Sequence, residues 1–379
     1  MPRLINWNRA ATSADPFPGV REAMLEGLIA PPASRGQLGR DTAERLFATR
    51  ASAARIFDFS HPSRVIFVPS CTWGLNLAIH GAIRPGQTVL TTAVDHNALA
   101  RPLEVARRQG VGVEVLPLDR SGRWRTDDLR ARLERGGVDW LAFAVASNVL
   151  GIVQPFEEAC ALARAAKVKV ILDMAQGGGV LPISLDALGV SYAAVAGHKS
   201  LHGPRGTGLL FVGPNEQPDP LVQGGTGSEG ALTEMPEELP QRLEAGTSNY
   251  SGIFGLGAAL AWLEKHPVNL EPVRSRLGKL DDWCRAQPEF EVFPQQPPPW
   301  CERLPVLAFR PRAVPAEVFV QFLADAGLDV RAGTMCTSRL LPGLGIEGGV
   351  VRLSPAPEAP EQEFQSVQEI LQNALRELA

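Results

Sequence analysis

Residues 192–212 read YAAVAGHKSLHGPRGTGLLFV, which predicts two short buried strands joined by a glycine-rich turn. Lys199 follows the first strand, and it is one of only five lysines among the 37 Lys and Arg residues. Ligands of open α/β sheets bind where strands end. A partly desolvated lysine amine there has a lowered pKa and can form a Schiff base. The lysine could instead only pair with a carboxylate, and this segment leaves both interpretations open.

The composition is that of a soluble globular protein with enough apolar residues for a sizeable core. Hydrophobic residues make up 45% of the 379 residues and charged residues 21%. The formal net charge of -4 gives no electrostatic basis for binding nucleic acid. No apolar run approaches the roughly 20 residues of a membrane span, and the first residues show no signal-peptide pattern.

The five cysteines, at positions 71, 160, 284, 301 and 336, show neither CxxC pairs nor zinc spacing. This pattern predicts reduced thiols in a cytoplasmic protein. His198 and His202 are four residues apart but lack the glutamate of an HExxH motif, so we expect no metal site.

Apolar runs alternate with helical periodicity, which predicts βαβ units and a mainly parallel sheet. The expected strands of this part are 65–68, 88–92, 113–116, 140–146, 168–172, 192–196 and 206–212; the expected helices are 72–82, 98–109, 126–135 and 156–166.

The pattern changes after about residue 255, where a smaller α/β region is expected. Its predicted helices are 256–264, 273–285, 316–326 and 360–378, and its predicted strands are 304–309, a short one near Val330, and 350–353. We therefore expect a large domain at 15–255, and a small domain at 256–379 that includes the N-terminal segment 1–14.

Chemistry-bearing residues follow several of the predicted strands. Residues 70–74, with Cys71 and Thr72, open a helix and could form an anion site or an ordinary N-cap. Asp173 ends a buried strand, where a carboxylate needs a facing cation such as the protonated ring nitrogen of pyridoxal phosphate, unless it only caps a helix. His96 follows another strand and could be purely structural.

The order of these segments resembles the class V aminotransferase family of pyridoxal phosphate enzymes, and within it the cysteine desulfurase and selenocysteine lyase branch. The resemblance covers essentially the whole chain and implies the aspartate aminotransferase-like fold (fold type I), with a mainly parallel seven-stranded sheet and a small α/β C-terminal domain. The matching segments are 8–13, 94–97, 146–151, 173–176, 197–199, 224–228, 242–247, 331–336 and 351–354.

The resemblance also implies a role for each matching residue. Lys199 would carry pyridoxal 5'-phosphate and move the α-proton, His96 would stack on its ring, and Cys336 would be the nucleophile. Asn148 and Arg352 would bind the substrate carboxylate, a bidentate task that suits arginine. The implied cofactor-binding residues are Cys71, Thr72, His96, Asn148, Asp173, Gln176, His198, Lys199 and, from a partner subunit, Thr226.

Two motifs depart from the family pattern. Asn8-Arg9 stands where relatives usually have Asp-Asn. Met335 stands where they usually have histidine, and Thr337-Ser338 follows Cys336 where they usually have Ala-Pro or Ala-Met. Cys336 could therefore be an active nucleophile or a residue whose ancestral role has lapsed.

The expected activity is conversion of L-cysteine to L-alanine with a persulfide on Cys336, in a homodimer that passes sulfur to an acceptor protein. The alternatives are a selenocysteine lyase, a cysteine C–S lyase, an aminotransferase, an epimerase, or a noncatalytic relative. We expect neither nucleic acid nor membrane as a partner.

Overall fold

The computed structural model describes residues 4–13, 15–33, 36–227 and 233–378. Ser228, in one of the matching segments, lies outside them. The described residues form thirteen strands: β1 (Ile5–Asn6), β2 (Val65–Val68), β3 (Thr88–Thr92), β4 (Gly112–Leu116), β5 (Trp140–Ala144), β6 (Lys169–Asp173), β7 (Tyr192–Ala196), β8 (Gly208–Val212), β9 (Phe290–Phe293), β10 (Leu307–Pro311), β11 (Leu328–Asp329), β12 (Arg331–Gly333) and β13 (Val350–Leu353).

Helices cover the sheets that these strands form. Within the described ranges they are α1 (Val20–Ile29), α2 (Gln37–Ile56), α3 (Cys71–Ala82), α4 (Asn97–Arg108), α5 (Thr126–Glu134), α6 (Phe156–Ala165), α7 (Leu185–Leu188), α8 (Tyr250–Lys265), α9 (Glu271–Ala286), α10 (Ala316–Asp325), α11 (Leu340–Gly343) and α12 (Glu361–Leu378).

The central sheet has seven strands in the order β2-β8-β7-β6-β5-β3-β4. Strands β4, β3, β5, β6 and β7 are parallel, whereas β8 pairs antiparallel with both β7 and β2. Every residue of β5, β7 and β8 is buried, because apolar clusters cover both faces of the sheet. The predicted mainly parallel seven-stranded sheet is confirmed.

A second, antiparallel sheet follows in the order β12-β13-β10-β9, and α9, α10 and α12 pack on it. The N-terminal segment also reaches this part of the molecule, because β1 pairs in parallel with β11. Trp7 is fully buried there, and its indole nitrogen donates to Glu363 at 2.5 Å. The two ends of the chain are thus packed together.

The prediction of a single strand near Val330 is wrong, because the chain there forms two strands in different sheets. β11 pairs with β1, whereas β12 pairs with β13. The strand expected to begin at residue 304 begins at Leu307, since the Leu304 N–H donates instead to Gly151 O at 2.7 Å. The strand expected from residue 206 begins at Gly208, after a turn in which Gly206 has a φ of 77°.

The helix expected from residue 256 begins at Tyr250, because the Asn249 side chain accepts from Gly252 N at 2.9 Å and caps it. Helices α1 and α2 were not expected from the sequence, and both pack against α8. α1 comes so close that a Cβ on Gly27 would lie 2.5 Å from Ser251 Cα.

Within the described ranges, no helix combines the length and hydrophobicity that crossing a membrane requires. All five cysteines are in the described ranges, and none forms a disulfide. The described residues contain no cluster of His, Cys, Asp and Glu that could hold a metal ion.

Candidate active site

Lys199 lies in the loop after β7, on the wall of a cleft between the end of the central sheet and the 354–358 segment. Burial lowers the pKa of the Lys199 amine, and the Asp173 carboxylate only partly offsets this effect. A lysine whose neutral form is favoured is a better nucleophile toward a carbonyl carbon. The position and surroundings of Lys199 therefore suit covalent chemistry.

Asp173, the last residue of β6, is 3% exposed. Its Oδ1 accepts from Ala175 N at 2.8 Å and from Cys71 Sγ at 3.4 Å, so both hydrogen-bond donors are neutral groups. A buried carboxylate of this kind has its free energy lowered by a facing cation.

Helix α3 begins where β8 passes beneath it. Ser70 caps the helix by accepting from Trp73 N at 3.2 Å, so the N-cap interpretation holds for this residue. A Cβ on Gly208 would lie 2.8 Å from Ser70 C and 3.0 Å from Cys71 N, so this approach requires glycine. Burial, with Asp173 nearby, raises the pKa of the Cys71 thiol well above its usual value, which keeps it protonated. The exposed Thr72 lies in the first turn.

His96 caps helix α4, because its Nδ1 accepts from Ala98 N at 3.0 Å. In a neutral ring the proton is then on Nε2, which leaves that atom as a donor. Burial lowers the pKa of His96, although Asp173 acts in the opposite direction. The structural role considered for His96 is real, and it leaves the other ring nitrogen available.

The N-terminal segment holds two predicted cofactor ligands in place. Gln176 Nε2 donates to Ala10 O at 2.8 Å. The Ser13 N–H and Oγ both donate to His198 O at 2.9 Å, and His198 Nδ1 lies 3.0 Å from Thr12 Oγ1. These positioning contacts were not predicted from the sequence; the only signal for them was the match of segment 8–13 to the family motif.

Arg352 is 1% exposed on β13, and its hydrogen bonds go to neutral acceptors. Nη1 donates to Asn148 O at 2.7 Å, and Nη2 donates to Asn8 Oδ1 at 3.0 Å. Burial, with a smaller contribution from the positive charge of Arg331, lowers the pKa of Arg352 to about 10. A guanidinium buried among neutral groups favours an anionic ligand.

Cys336 is exposed on a loop that other predicted site residues hold. Its carbonyl accepts from Asn97 N at 2.8 Å, next to His96, and the Met335 carbonyl accepts from Asn148 Nδ2 at 2.8 Å. Cys336 Sγ lies 3.6 Å from Arg331 Nη2. The Cys336 thiol is therefore exposed and held beside a cation on a loop fixed by other site residues.

Most of the predicted residues therefore come together around the carboxyl ends of β6 and β7. Of the predicted residues, Gln176 and Lys199 line the cleft itself. The loop of Thr226 is held to the 242–247 segment, because Gly225 O accepts from Gly246 N at 2.8 Å.

The sheet order, the lysine after β7 and the buried aspartate at the end of β6 define the class of this protein. The family model described as aminotransferase class-V matches residues 7–367. The chain belongs to that family.

Individual relatives show which members of the family this chain is similar to. The chain is 30% identical over 324 residues to a cysteine desulfurase of Cronobacter sakazakii, which covers 82% of this chain and 77% of that protein. It is 30% identical over 345 residues to the cysteine desulfurase CsdA of Escherichia coli, covering 87% of this chain and 83% of CsdA.

Solved structures agree with this similarity. A crystal structure of Escherichia coli CsdA superposes with a TM-score of 0.87 at 27% identity, covering 99% of this chain and 96% of that one. A cysteine desulfurase of Thermococcus onnurineus reaches a TM-score of 0.89 at 23% identity, covering 99% of this chain and 95% of that one. The aspartate aminotransferase-like fold expected from the sequence is confirmed.

Proposed function

We propose that this protein is a pyridoxal phosphate-dependent cysteine desulfurase that converts L-cysteine to L-alanine and leaves a persulfide on Cys336. The observation that carries the proposal is the exposed Cys336 thiol, 3.6 Å from the Arg331 guanidinium on a loop fixed by Asn97 and Asn148. Transamination and epimerisation need no such thiol, so its presence favours sulfur transfer over those reactions.

The residues around Lys199 fit the cofactor. Asp173 is a buried carboxylate whose hydrogen-bond donors are neutral, and it would face the ring nitrogen. Lys199 would hold the cofactor covalently, the start of α3 with Cys71, Thr72 and His198 would hold its phosphate, and Gln176 would bond the phenolic oxygen. When bound, pyridoxal phosphate withdraws electrons from the substrate's Cα.

The chain's own residues would bind and orient the substrate. Arg352 would pair with the α-carboxylate, and Asn148, whose carbonyl holds Arg352 and whose amide holds Met335 O, would couple this site to the cysteine loop. His96 Nδ1 accepts from Ala98 N, so Nε2 is the ring nitrogen that would handle a proton.

The sulfur transfer balances without an external oxidant. The Cys336 thiolate attacks the sulfur of the bound cysteine, an S–S bond forms, and the C–S bond breaks. Its electron pair stays with the three-carbon fragment, which gains a proton at Cβ and leaves as alanine. The sulfur atoms are oxidised to the persulfide level while that carbon is reduced.

Two features support a homodimer. The family resemblance implies that Thr226 reaches the phosphate site of a partner subunit, and its loop is joined to the 242–247 segment by the hydrogen bond from Gly246 N to Gly225 O. Trp73 and Val222 line one pocket with residues 243–249, and Leu221 precedes Val222 in the chain. These three residues, the apolar patch, are 38%, 39% and 47% exposed. An exposed apolar patch of this kind marks an interaction site.

Two further features bear on the protein that would accept the sulfur and on the cellular compartment. The cysteine loop adjoins a groove lined by Arg101, Arg108 and Arg339 and by one acid, Glu104, which pairs with Arg108. The excess of cations suits an acidic surface on a sulfur-acceptor protein. The free cysteines agree with a reducing cytoplasm.

The experiment compares Cys336→Ala with the parent and with Lys199→Ala. Cys336→Ala should retain bound cofactor, yet release less than about a hundredth of the parent's alanine from cysteine and carry no persulfide, because the attacking sulfur is gone. Lys199→Ala should lack cofactor that borohydride can fix to the protein. Parent-like alanine release by Cys336→Ala would replace the desulfurase assignment with a lyase or aminotransferase.

A further inference from the structure

Asn8 lies beside the end of β13, where backbone contacts on both sides hold it in place. Ser354 N donates to Trp7 O at 2.7 Å, and Arg9 N donates to Ser354 O at 3.0 Å. The Asn6 side chain adds a further contact, because its Oδ1 accepts from Asn8 N at 3.0 Å. The position of Asn8 is therefore set by the packing of the N-terminal segment against β13.

The side chain of Asn8 holds Arg352. Its Oδ1 accepts from Arg352 Nη2 at 3.0 Å, while Asn148 O accepts from Arg352 Nη1 at 2.7 Å. Arg352 is 1% exposed, and its Nε is buried with no acceptor in the described part of the chain. The guanidinium is thus oriented by two contacts and still has a donor for an anion.

Both groups that accept from Arg352 are neutral, and a buried cation without a counter-ion favours an anionic ligand. Aspartate, which the family motif usually has at position 8, would offer the same acceptor atom together with a negative charge. That charge would compete with the carboxylate of a ligand for the guanidinium. Asn8 therefore orients Arg352 without neutralising it.

We propose that Asn8 is a positioning residue: it holds Arg352 in the orientation that binds the substrate carboxylate, and it leaves the charge of the guanidinium to that ligand. The inference rests on the proposed function, because the proposed function assigns the α-carboxylate to Arg352. Asn8 acts through Arg352 and takes no part in the reaction itself.

The test measures binding of 3-(methylthio)propionate and of its amide to the holoenzyme by isothermal titration calorimetry. The two probes have nearly the same size, but only the first carries a carboxylate. The parent should bind the carboxylate about tenfold more tightly than the amide, the gain expected of a charge-assisted hydrogen bond. Arg352→Gln should remove this preference. Neither probe has an amine, so binding needs no turnover.

Two variants of Asn8 separate its two effects. Asn8→Asp keeps the acceptor but adds a charge, so it should bring the two affinities within about twofold by weakening the carboxylate alone. Asn8→Ala removes the contact without adding a charge, so it should lower the preference to about threefold. Asn6→Asp is the matched control, because it makes the same change on a side chain that contacts Asn8 N rather than Arg352. It should keep the preference of the parent within about twofold.

Several outcomes would overturn the inference. They are a full preference in Asn8→Asp, equal losses in Asn8→Asp and Asn6→Asp, and parallel weakening of both probes, which would show that Asn8 only supports the fold. A preference unchanged in Arg352→Gln would remove both the inference and the carboxylate role of Arg352. Failure to release alanine from cysteine, with a preference that depends on Asn8, would contradict only the proposed desulfurase reaction.

Discussion

His96 illustrates how one side chain combines a structural and a chemical task. Its Nδ1 caps α4, and burial lowers its pKa. The sequence suggested these tasks as alternatives, because a lone histidine after a strand gives no information about its two nitrogens. For Asp173 and Lys199 the sequence likewise left a structural alternative open, and the structure shows both beside the end of the central sheet.

Replacing His96 should separate the two tasks. His96→Asn can still cap α4, so its free energy of unfolding at pH 7.5 should stay near that of the parent, whereas His96→Ala should lose about 1 kcal/mol. The lowered pKa means that the unfolded chain takes up a proton near pH ~6.5 while the folded protein does not. Parent stability should therefore fall relative to His96→Asn as the pH drops below about 6.5. Urea unfolding of the parent and of His96→Asn at pH 7.5 and 5.5 measures the two free energies of unfolding. An equal loss of stability in both proteins between these pH values would contradict the prediction.

Elements whose partners are close in the chain were predicted well, and elements defined by distant partners were not. The βαβ part was predicted because each strand is a continuous apolar run next to its own helix. The prediction of one strand at 328–333 was wrong, because the first half of this stretch pairs with β1 and the second half with β13, which lie near opposite ends of the chain. Helices α1 and α2 were missed since their apolar faces match α8, which follows some 200 residues later.

The cysteine loop is an element with a strained backbone. Met335 and Cys336 have φ values of 53° and 59°, in the left-handed region that costs a non-glycine residue about 1 kcal/mol. Cys336→Gly should therefore be about 1 kcal/mol more stable than Cys336→Ala, as measured by urea unfolding. Ser338 is the control, because its φ is not among the positive values. There, Ser338→Ala should be more stable than Ser338→Gly. The same order at both positions would show that the loop stores no such strain.

At the scale of the whole molecule, the site is built from distant parts of one chain. Residues 8–13 make hydrogen bonds with Gln176, His198 and Arg352, so the N-terminal segment joins parts of the candidate site that come from the centre and the C-terminal part of the chain. The sequence indicated these segments only as separate motifs in the right order. The contacts between them could not be predicted, because they depend on how the two sheets pack.

The proposed role of Thr226 would bring a second copy of the chain into the site. If the patch of Trp73, Leu221 and Val222 is the dimer contact, then a charge placed in it must be desolvated when the two copies meet, at a cost of several kcal/mol. Val222→Asp should thus raise the dimer dissociation constant at least about tenfold in sedimentation velocity, and it should weaken cofactor retention at low protein concentration.

Val318→Asp is the matched control, because Val318 is 44% exposed on α10 and receives the same change outside this patch. It should remain dimeric and keep its cofactor. A Val222→Asp protein that stays dimeric would move the interface elsewhere. A monomer that keeps full cofactor affinity would instead show that each chain completes its own phosphate site, and Thr226 would then have no role in the partner's site.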